Sequence, residues 1–243
     1  MHQARTFRGE RGFEKETIPG LERFSMYKYV FFDLDGTLTQ SEFGIVEAAS
    51  RALAHFGIET PDRELLKRFI GPPLYVSFHE FYGMSDEDSF EAIRVYREYY
   101  EREGVYLAPL FAGVKEALGA LRDAGCRLMI VTAKPQNMAE VVAEHDGVRG
   151  YFEGIAGPSL EGRDPNKAGL IRRAMEELGL TDADRSDILM VGDRFYDIQA
   201  AREVGIDSLG VLYGYGSEAE LRDAGATCIV STADEIPAVV LGK

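Results

Sequence analysis

The stretch YKYVFFDLDGTL, residues 27–38, decides the reading of this chain. Its first six residues, Tyr27 to Phe32, are mostly aromatic and β-branched, the mark of a parallel strand buried on both faces. The run stops at Asp33, and a second acid follows at Asp35. Two acids at i and i+2 leaving a strand project to the same side, so they can share a ligand while doing separate jobs. Open α/β sheets bind ligands beyond the carboxyl ends of their strands. Gly36 permits a tight turn and a close approach of backbone to ligand. The alternative, a solvated acidic turn, fits poorly with an apolar strand running straight into Asp-x-Asp-Gly-Thr.

Outward from this stretch, similar apolar runs recur at 127–132 (RLMIVT), 187–191, 207–211 and 227–230. Helical patterns lie between them: Val114, Ala117, Leu118 and Leu121 share one face, as do Leu170, Ala174 and Leu178. Capping boxes, Ser217 with Glu220 and Thr232 with Glu235, are expected to open two late helices. Strand alternating with helix predicts an α/β doubly wound parallel sheet. Residues 42–105 break the rhythm and show only helical spacing: Val46, Ala49, Leu53 and Phe56, then Phe90, Ile93, Tyr96 and Tyr100. Gly57, Pro61 and Gly71-Pro72-Pro73 divide this segment into about four helices. It is expected to form an inserted α-helical cap, with residues 26–41 and 106–243 as the core. The tyrosine stripe Tyr96, Tyr99 and Tyr100 is read as packing. Residues 1–25 carry no helix or strand period and are expected to be a flexible or loosely packed extension, with Met26 a plausible alternative start.

The 243 residues suffice for a large core, and 45% apolar with 28% charged residues is ordinary for a globular protein. No run approaches the roughly 20 apolar residues needed to span a bilayer, and no signal-peptide core is visible. The expected location is therefore the cytoplasm. The two cysteines, Cys126 and Cys228, have no metal-site spacing and read as small buried side chains. A net charge of −14 repels nucleic-acid polymers and anionic membranes, so neither is an expected partner. It also repels phosphate esters, so a site for one must supply its own local positive charge.

Asp33-Leu34-Asp35-Gly36-Thr37 resembles the first motif of the haloacid dehalogenase-like (HAD) hydrolases. The resemblance implies three further motifs in order. Thr132 ends RLMIVT and matches the second; its hydroxyl, with the backbone of Ala133 and Lys134, would hold phosphate oxygens. Lys167 matches the third, at the start of an amphipathic helix. The helix dipole disfavours a cation there, so Lys167 needs an anionic partner. Gly192-Asp193-Arg194-Phe195-Tyr196-Asp197 matches the fourth, with Asp193 and Asp197 near the start of a helix. The similarity runs over about residues 27–241. An insertion between the first and second motifs is similar to the helical-cap branch that includes phosphoglycolate phosphatases, β-phosphoglucomutases and some 5′-nucleotidases. GPPL at 71–74, Lys134-Pro135, GPSLEG at 157–162, Gly192-Asp193-Arg194 and 211–216 (VLYGYG) resemble the phosphoglycolate phosphatase-like and 5′-nucleotidase-like members.

The resemblance implies a phosphatase acting on a small-molecule phosphate ester through an aspartyl-phosphate. Asp33 would be the nucleophile and Asp35 the general acid and base, with Thr132 and Lys167 binding the charged oxygens. Mg2+ would sit on Asp33, the Asp35 carbonyl and Asp193, with Asp197 in support. Gly36, Thr37, Ala133, Lys134 and Arg194 would meet the substrate, and Phe43 and Gly71-Pro72-Pro73 are candidate cap contacts. The chain is expected to be a monomer or homodimer. A β-phosphoglucomutase-like transferase uses the same core and stays open. A dehalogenase does not fit Asp35. A phosphonate hydrolase would need a cap lysine, and Lys67 looks surface-placed. A signalling receiver domain would fit neither the length nor the insertion.

Overall fold

The computed structural model describes residues 27–59, 62–159 and 166–242. The expected extension at 1–25, the start at Met26, Pro61 and the end of GPSLEG lie outside the described residues. Among those described, one parallel sheet forms from β1 (Tyr29–Phe32), β2 (Arg127–Val131), β3 (Gly154–Ala156), β4 (Ile188–Gly192), β5 (Asp207–Val211) and β6 (Cys228–Val230). The order across it is β3-β2-β1-β4-β5-β6. Expected strand ends agree within two residues. The short edge strand β3, of the three residues Gly-Ile-Ala, is absent from the sequence reading.

Successive side chains of a strand point to opposite faces, and this sheet is apolar on both. Val30, Phe32, Leu128, Ile130, Leu189 and Val191 enter one core. Phe31, Met129, Val131, Ile188 and Met190 enter a second core on the opposite face. The second core is closed by α7 (Lys167–Glu177) and α8 (Phe195–Val204). The first is closed by α5 (Val114–Asp123), α6 (Gln136–His145) and α10 (Ile236–Val240). The helix α9 (Glu218–Ala224) packs on α8 through Ile198 and Leu221.

Between β1 and β2 stand α1 (Glu42–His55), α2 (Arg63–Leu66), α3 (Leu74–Tyr82) and α4 (Asp86–Tyr100), the expected helical cap. Its apolar residues, Leu53, Phe69, Phe78 and Tyr96 among them, join the first core in one continuous cluster. One expected face is corrected: Phe90 is 63% exposed, and α4 buries Ser89, Ala92, Tyr96, Tyr99 and Tyr100 instead. The face drawn through Phe90 and Ile93 is therefore rotated by about one residue. Cys126 is buried and Cys228 half-buried, and both are free thiols. No helix among the described residues is long and apolar enough to cross a membrane.

Register levels the strand ends that matter. Phe32 lies opposite both Ile130 and Val191. Asp33, Thr132 and Asp193 therefore leave the sheet within two residues of one line.

Candidate active site

The DLDGT turn is closed by two carbonyls, those of Thr39, which accepts from the Gly36 N–H at 2.9 Å, and Leu34. Leu34 O accepts from the backbone N–H of Leu38 at 2.9 Å and of Thr39 at 3.0 Å. This holds Asp33 at the sheet end and swings Asp35 around the turn. Gly36 takes φ +87°, and a Cβ there would collide with the Asp193 carboxylate, so this position must lack a side chain.

Asp33, Asp193 and Asp197 bring one carboxylate oxygen each within 4.8 Å of one another, all buried. Lys167, the first residue of α7, lies 2.8 Å from Asp33 Oδ1 and 2.8 Å from Asp197 Oδ1. These carboxylates are the anionic partners its unfavourable position at a helix N-terminus requires. Asp193 accepts from Thr37 Oγ1 at 3.1 Å and from the Tyr215 N–H at 2.8 Å. The helix α8 begins at Phe195, so Asp197 sits in its first turn. From there its Oδ2 accepts from the Arg194 N–H at 3.2 Å.

Three carboxylates face one ammonium, so two negative charges are unsettled in a buried space. Burial pushes Asp33 up to about 6, against the pull of Lys167 and helped by Asp197. Burial, then Asp197 and Asp33, push Asp193 well above the usual carboxylate range. For Lys167, burial works against the charge, but Asp197 and Asp33 outweigh it and the ammonium is held charged. An all-oxygen donor set of three buried carboxylates facing one ammonium fits a hard divalent cation such as Mg2+.

A second cluster lies on the Asp35 side. Lys134 Nζ is 2.9 and 2.7 Å from the two Asp35 oxygens and 2.6 Å from the Tyr100 hydroxyl. Lys134 N–H donates to Thr132 Oγ1 at 3.1 Å, which fixes the turn after β2. Ala133 is half-buried in that turn. Tyr100 corrects the packing-only reading of the tyrosine stripe. It closes α4 and carries a polar contact to the core, and the lysine after β2 was the only sequence hint of one.

Of the remaining expected residues, Thr37 is buried and its hydroxyl turns to Asp193. Arg194 donates through Nε to Glu220 at 2.8 Å and through Nη1 to the Ile70 carbonyl of the cap at 3.0 Å. Gly71-Pro72-Pro73 follows directly, beside the Arg194 side chain. Glu220 does not complete the expected capping box with Ser217. Its carboxylate instead takes Arg194 and the Phe195 N–H at 2.9 Å. Glu235 does serve its expected helix start, accepting from Thr232 N–H at 2.9 Å.

A cleft of about 840 Å³ opens between cap and core, lined by Phe43, Lys67, Arg68, Arg194 and Tyr213 to Tyr215, among others. The acid clusters are not part of its lining. One wall, Tyr213 to Tyr215, is the loop whose backbone holds Asp193, and Gly214 sits so close that a Cβ would strike that carboxylate. Tyr215 also accepts at its hydroxyl from the Glu42 N–H that opens α1, at 3.0 Å. Sequence reading picked out this loop only as a likeness; its Gly-x-Gly spacing is the signal for close packing. Phe43 is 60% exposed and faces the cleft. Lys67 pairs there with Glu42 at 3.1 Å and Glu64 at 2.9 Å.

Comparison with known proteins matches residues 30–211 to the family described as haloacid dehalogenase-like hydrolase. A 5′-nucleotidase of Pseudomonas aeruginosa is 40% identical over 196 residues, 81% of this chain and 87% of that protein. Tyrosine-protein kinase PtkA of Mycobacterium tuberculosis is 37% identical over 207 residues, 85% of this chain and 69% of that one. Among solved structures, a predicted phosphatase from Clostridium acetobutylicum superposes with a TM-score of 0.86 at 39% identity. That match covers 90% of this chain and all of the other.

Proposed function

The chain belongs to the haloacid dehalogenase-like hydrolase family and is a phosphoric monoester hydrolase, and from that premise we propose that Asp33 is its nucleophile. The carrying observation is the convergence on one buried point of Asp33 and Asp193, from two strand ends, and Lys167, from the start of α7. The substrate is a small phosphate ester, a 5′-nucleotide or a phosphoglycolate-like compound. The 40% identity to a 5′-nucleotidase favours the former.

Asp33, the Asp35 carbonyl and Asp193 would hold Mg2+, with Asp197 in support. When bound, Mg2+ offsets the repulsion between carboxylate and phosphate and helps neutralise the charge on the transferring oxygens. Asp33 attacks phosphorus in line and forms an aspartyl-phosphate. The leaving alcohol takes its proton from Asp35, which next draws a proton from the water that frees phosphate; such assistance is typically worth about 10²–10⁴-fold. Lys167 sits on Asp33 Oδ1, where it can bridge nucleophile and phosphate as charge redistributes. Thr132 and the Ala133 backbone supply donors to the phosphate oxygens, whereas the Gly36 and Thr37 N–H groups are taken by the Thr39 and Leu34 carbonyls. Phosphoryl transfer depends mostly on such positioning and electrostatics.

Residues 42–105 act as the cap and 26–41 with 106–243 as the core; the cap excludes water and selects the leaving group. The enzyme is assigned to the cytoplasm as a monomer or homodimer. The test is phosphate release from a panel of nucleoside monophosphates, phosphoglycolate and sugar phosphates, with Mg2+ and with chelator. Mg2+-dependent release is expected, fastest from a nucleoside monophosphate. Isomerised sugar phosphate without free phosphate would replace hydrolysis with transfer. Phosphate release unaffected by chelator would remove the metal from the assignment.

A further inference from the structure

We propose that Tyr100, the last residue of cap helix α4, is a positioning residue that acts through Lys134 to aim the Asp35 carboxylate. The inference rests on the assignment of Asp35 as acid and base. Lys134 is the natural candidate for a substrate contact, since it follows Thr132 at the end of β2. Its surroundings argue otherwise. An ammonium has three N–H donors. Here three acceptors lie within 2.9 Å of Nζ: both Asp35 oxygens and the Tyr100 hydroxyl. The side chain is only 4% exposed, and that of Asp35 12%. With the cap shut, Lys134 keeps no donor for a substrate oxygen.

A buried ammonium is tolerated only when paired and hydrogen-bonded. Asp35 and Tyr100 together meet that need, and neither alone supplies enough acceptors. The Tyr100 ring adds a second constraint. Nζ stands 4.8 Å from its centroid, and the ring is stacked on Tyr96 at 5.3 Å, which fixes its plane. The Lys134 backbone is pinned as well, by Thr132 Oγ1. Lys134 is therefore held from both ends, and both oxygens of Asp35 are held by Lys134. Proton transfer to a leaving oxygen is sensitive to misplacement on the order of 1 Å.

The three residues come from different parts of the molecule. Asp35 and Lys134 sit on core loops, whereas Tyr100 arrives with the cap. The complete set exists only when the cap is docked. Asp35 thus becomes fully aligned on closure, and a bound substrate meets an aimed acid only after water is shut out.

The test is a double-mutant cycle with Tyr100→Phe and Lys134→Met, read with whichever ester from the panel is turned over fastest. Tyr100→Phe keeps the ring and removes one hydrogen bond to a charged group. It is expected to lower kcat about 10-fold and to leave KM within about twofold. Lys134→Met is expected to lower kcat about 10²-fold, and the double variant to be no slower than Lys134→Met alone. Thermal melts of the metal-free protein give an independent reading. Tyr100→Phe should lower Tm in the wild-type background and leave it unchanged in the Lys134→Met background. A raised KM with preserved kcat would make Tyr100 a substrate contact and overturn the proposal. So would effects that multiply in the double variant, or a Tyr100→Phe variant with the wild-type kcat. If the wild-type protein releases phosphate from no ester, the proposed function fails, and the melting cycle still decides whether Tyr100 acts on Lys134.

Discussion

Two acid clusters share the turn that follows β1, and they settle their charge in opposite ways. Asp33, Asp193 and Asp197 face one ammonium, Lys167, and keep two negative charges in excess. Asp35 faces one ammonium, Lys134, whose remaining donor goes to Tyr100. The first cluster is assembled entirely from the core, at strand ends and helix starts, and holds more carboxylates than ammonium groups. The second is balanced and takes one of its members, Tyr100, from the cap. The contrast separates two requirements of the proposed chemistry. In the proposed chemistry a metal would complete the charge neutralisation, and a residue from the cap would complete the alignment.

The contrast predicts different responses to loss of each lysine. In metal-free protein, Lys167→Met leaves three buried carboxylates with no cation. Breaking a buried pair in this way typically costs about 3–5 kcal/mol, read by urea unfolding. Added Mg2+ should recover much of that loss. Lys134→Met should destabilise by less, about 1–3 kcal/mol, since it strands a single carboxylate near the cap edge. Mg2+ should not recover it. Equal losses with equal recovery would erase the distinction between the clusters.

A pH-dependent effect follows from Asp33. Its carboxyl lies near 6 in the folded protein against an ordinary 3.8, because burial favours the neutral form. The metal-free folded state therefore binds this proton more tightly than the unfolded chain does. Its contribution to stability is complete below about 3.8 and is lost as pH rises through about 6, amounting to roughly 3 kcal/mol. A divalent cation takes the place of the proton. Mg2+ should then raise Tm more at pH 7.5 than at pH 5, measured by thermal melts. A gain that is larger at pH 5 would contradict the cluster's charge excess.

The first cluster was legible because two of its acids directly follow strands of strong pattern. Asp33 and Asp193 end runs of four or five apolar residues, and the register then levels them. Lys167 showed itself by standing where a helix dipole disfavours it. The second cluster was half legible. Lys134 was visible beside Thr132, but the role of Tyr100 depends on how the cap docks, and no periodicity within α4 encodes that. Phe90 illustrates the same gap. Its hydrophobicity argued for burial, yet α4 turns Ser89 and Ala92 inward instead. Glu220 satisfied the sequence pattern of a capping box, but Arg194 and the start of α8 compete for its carboxylate. The edge strand β3 escaped because three residues are too few for a pattern. Local signals reported strands and their ends; contacts between distant elements were set by packing that the sequence shows only indirectly.

The most direct test of the nucleophile is to quench a turnover and find where the phosphoryl group resides. Wild-type protein mixed with Mg2+ and a radiolabelled ester from the panel, then quenched within a turnover, should carry acid-stable, base-labile label on the peptide containing Asp33. The Asp33→Asn variant should take up no label and release no phosphate while keeping its fold. Label on another residue, or phosphate release by Asp33→Asn at the wild-type rate, would contradict the assignment.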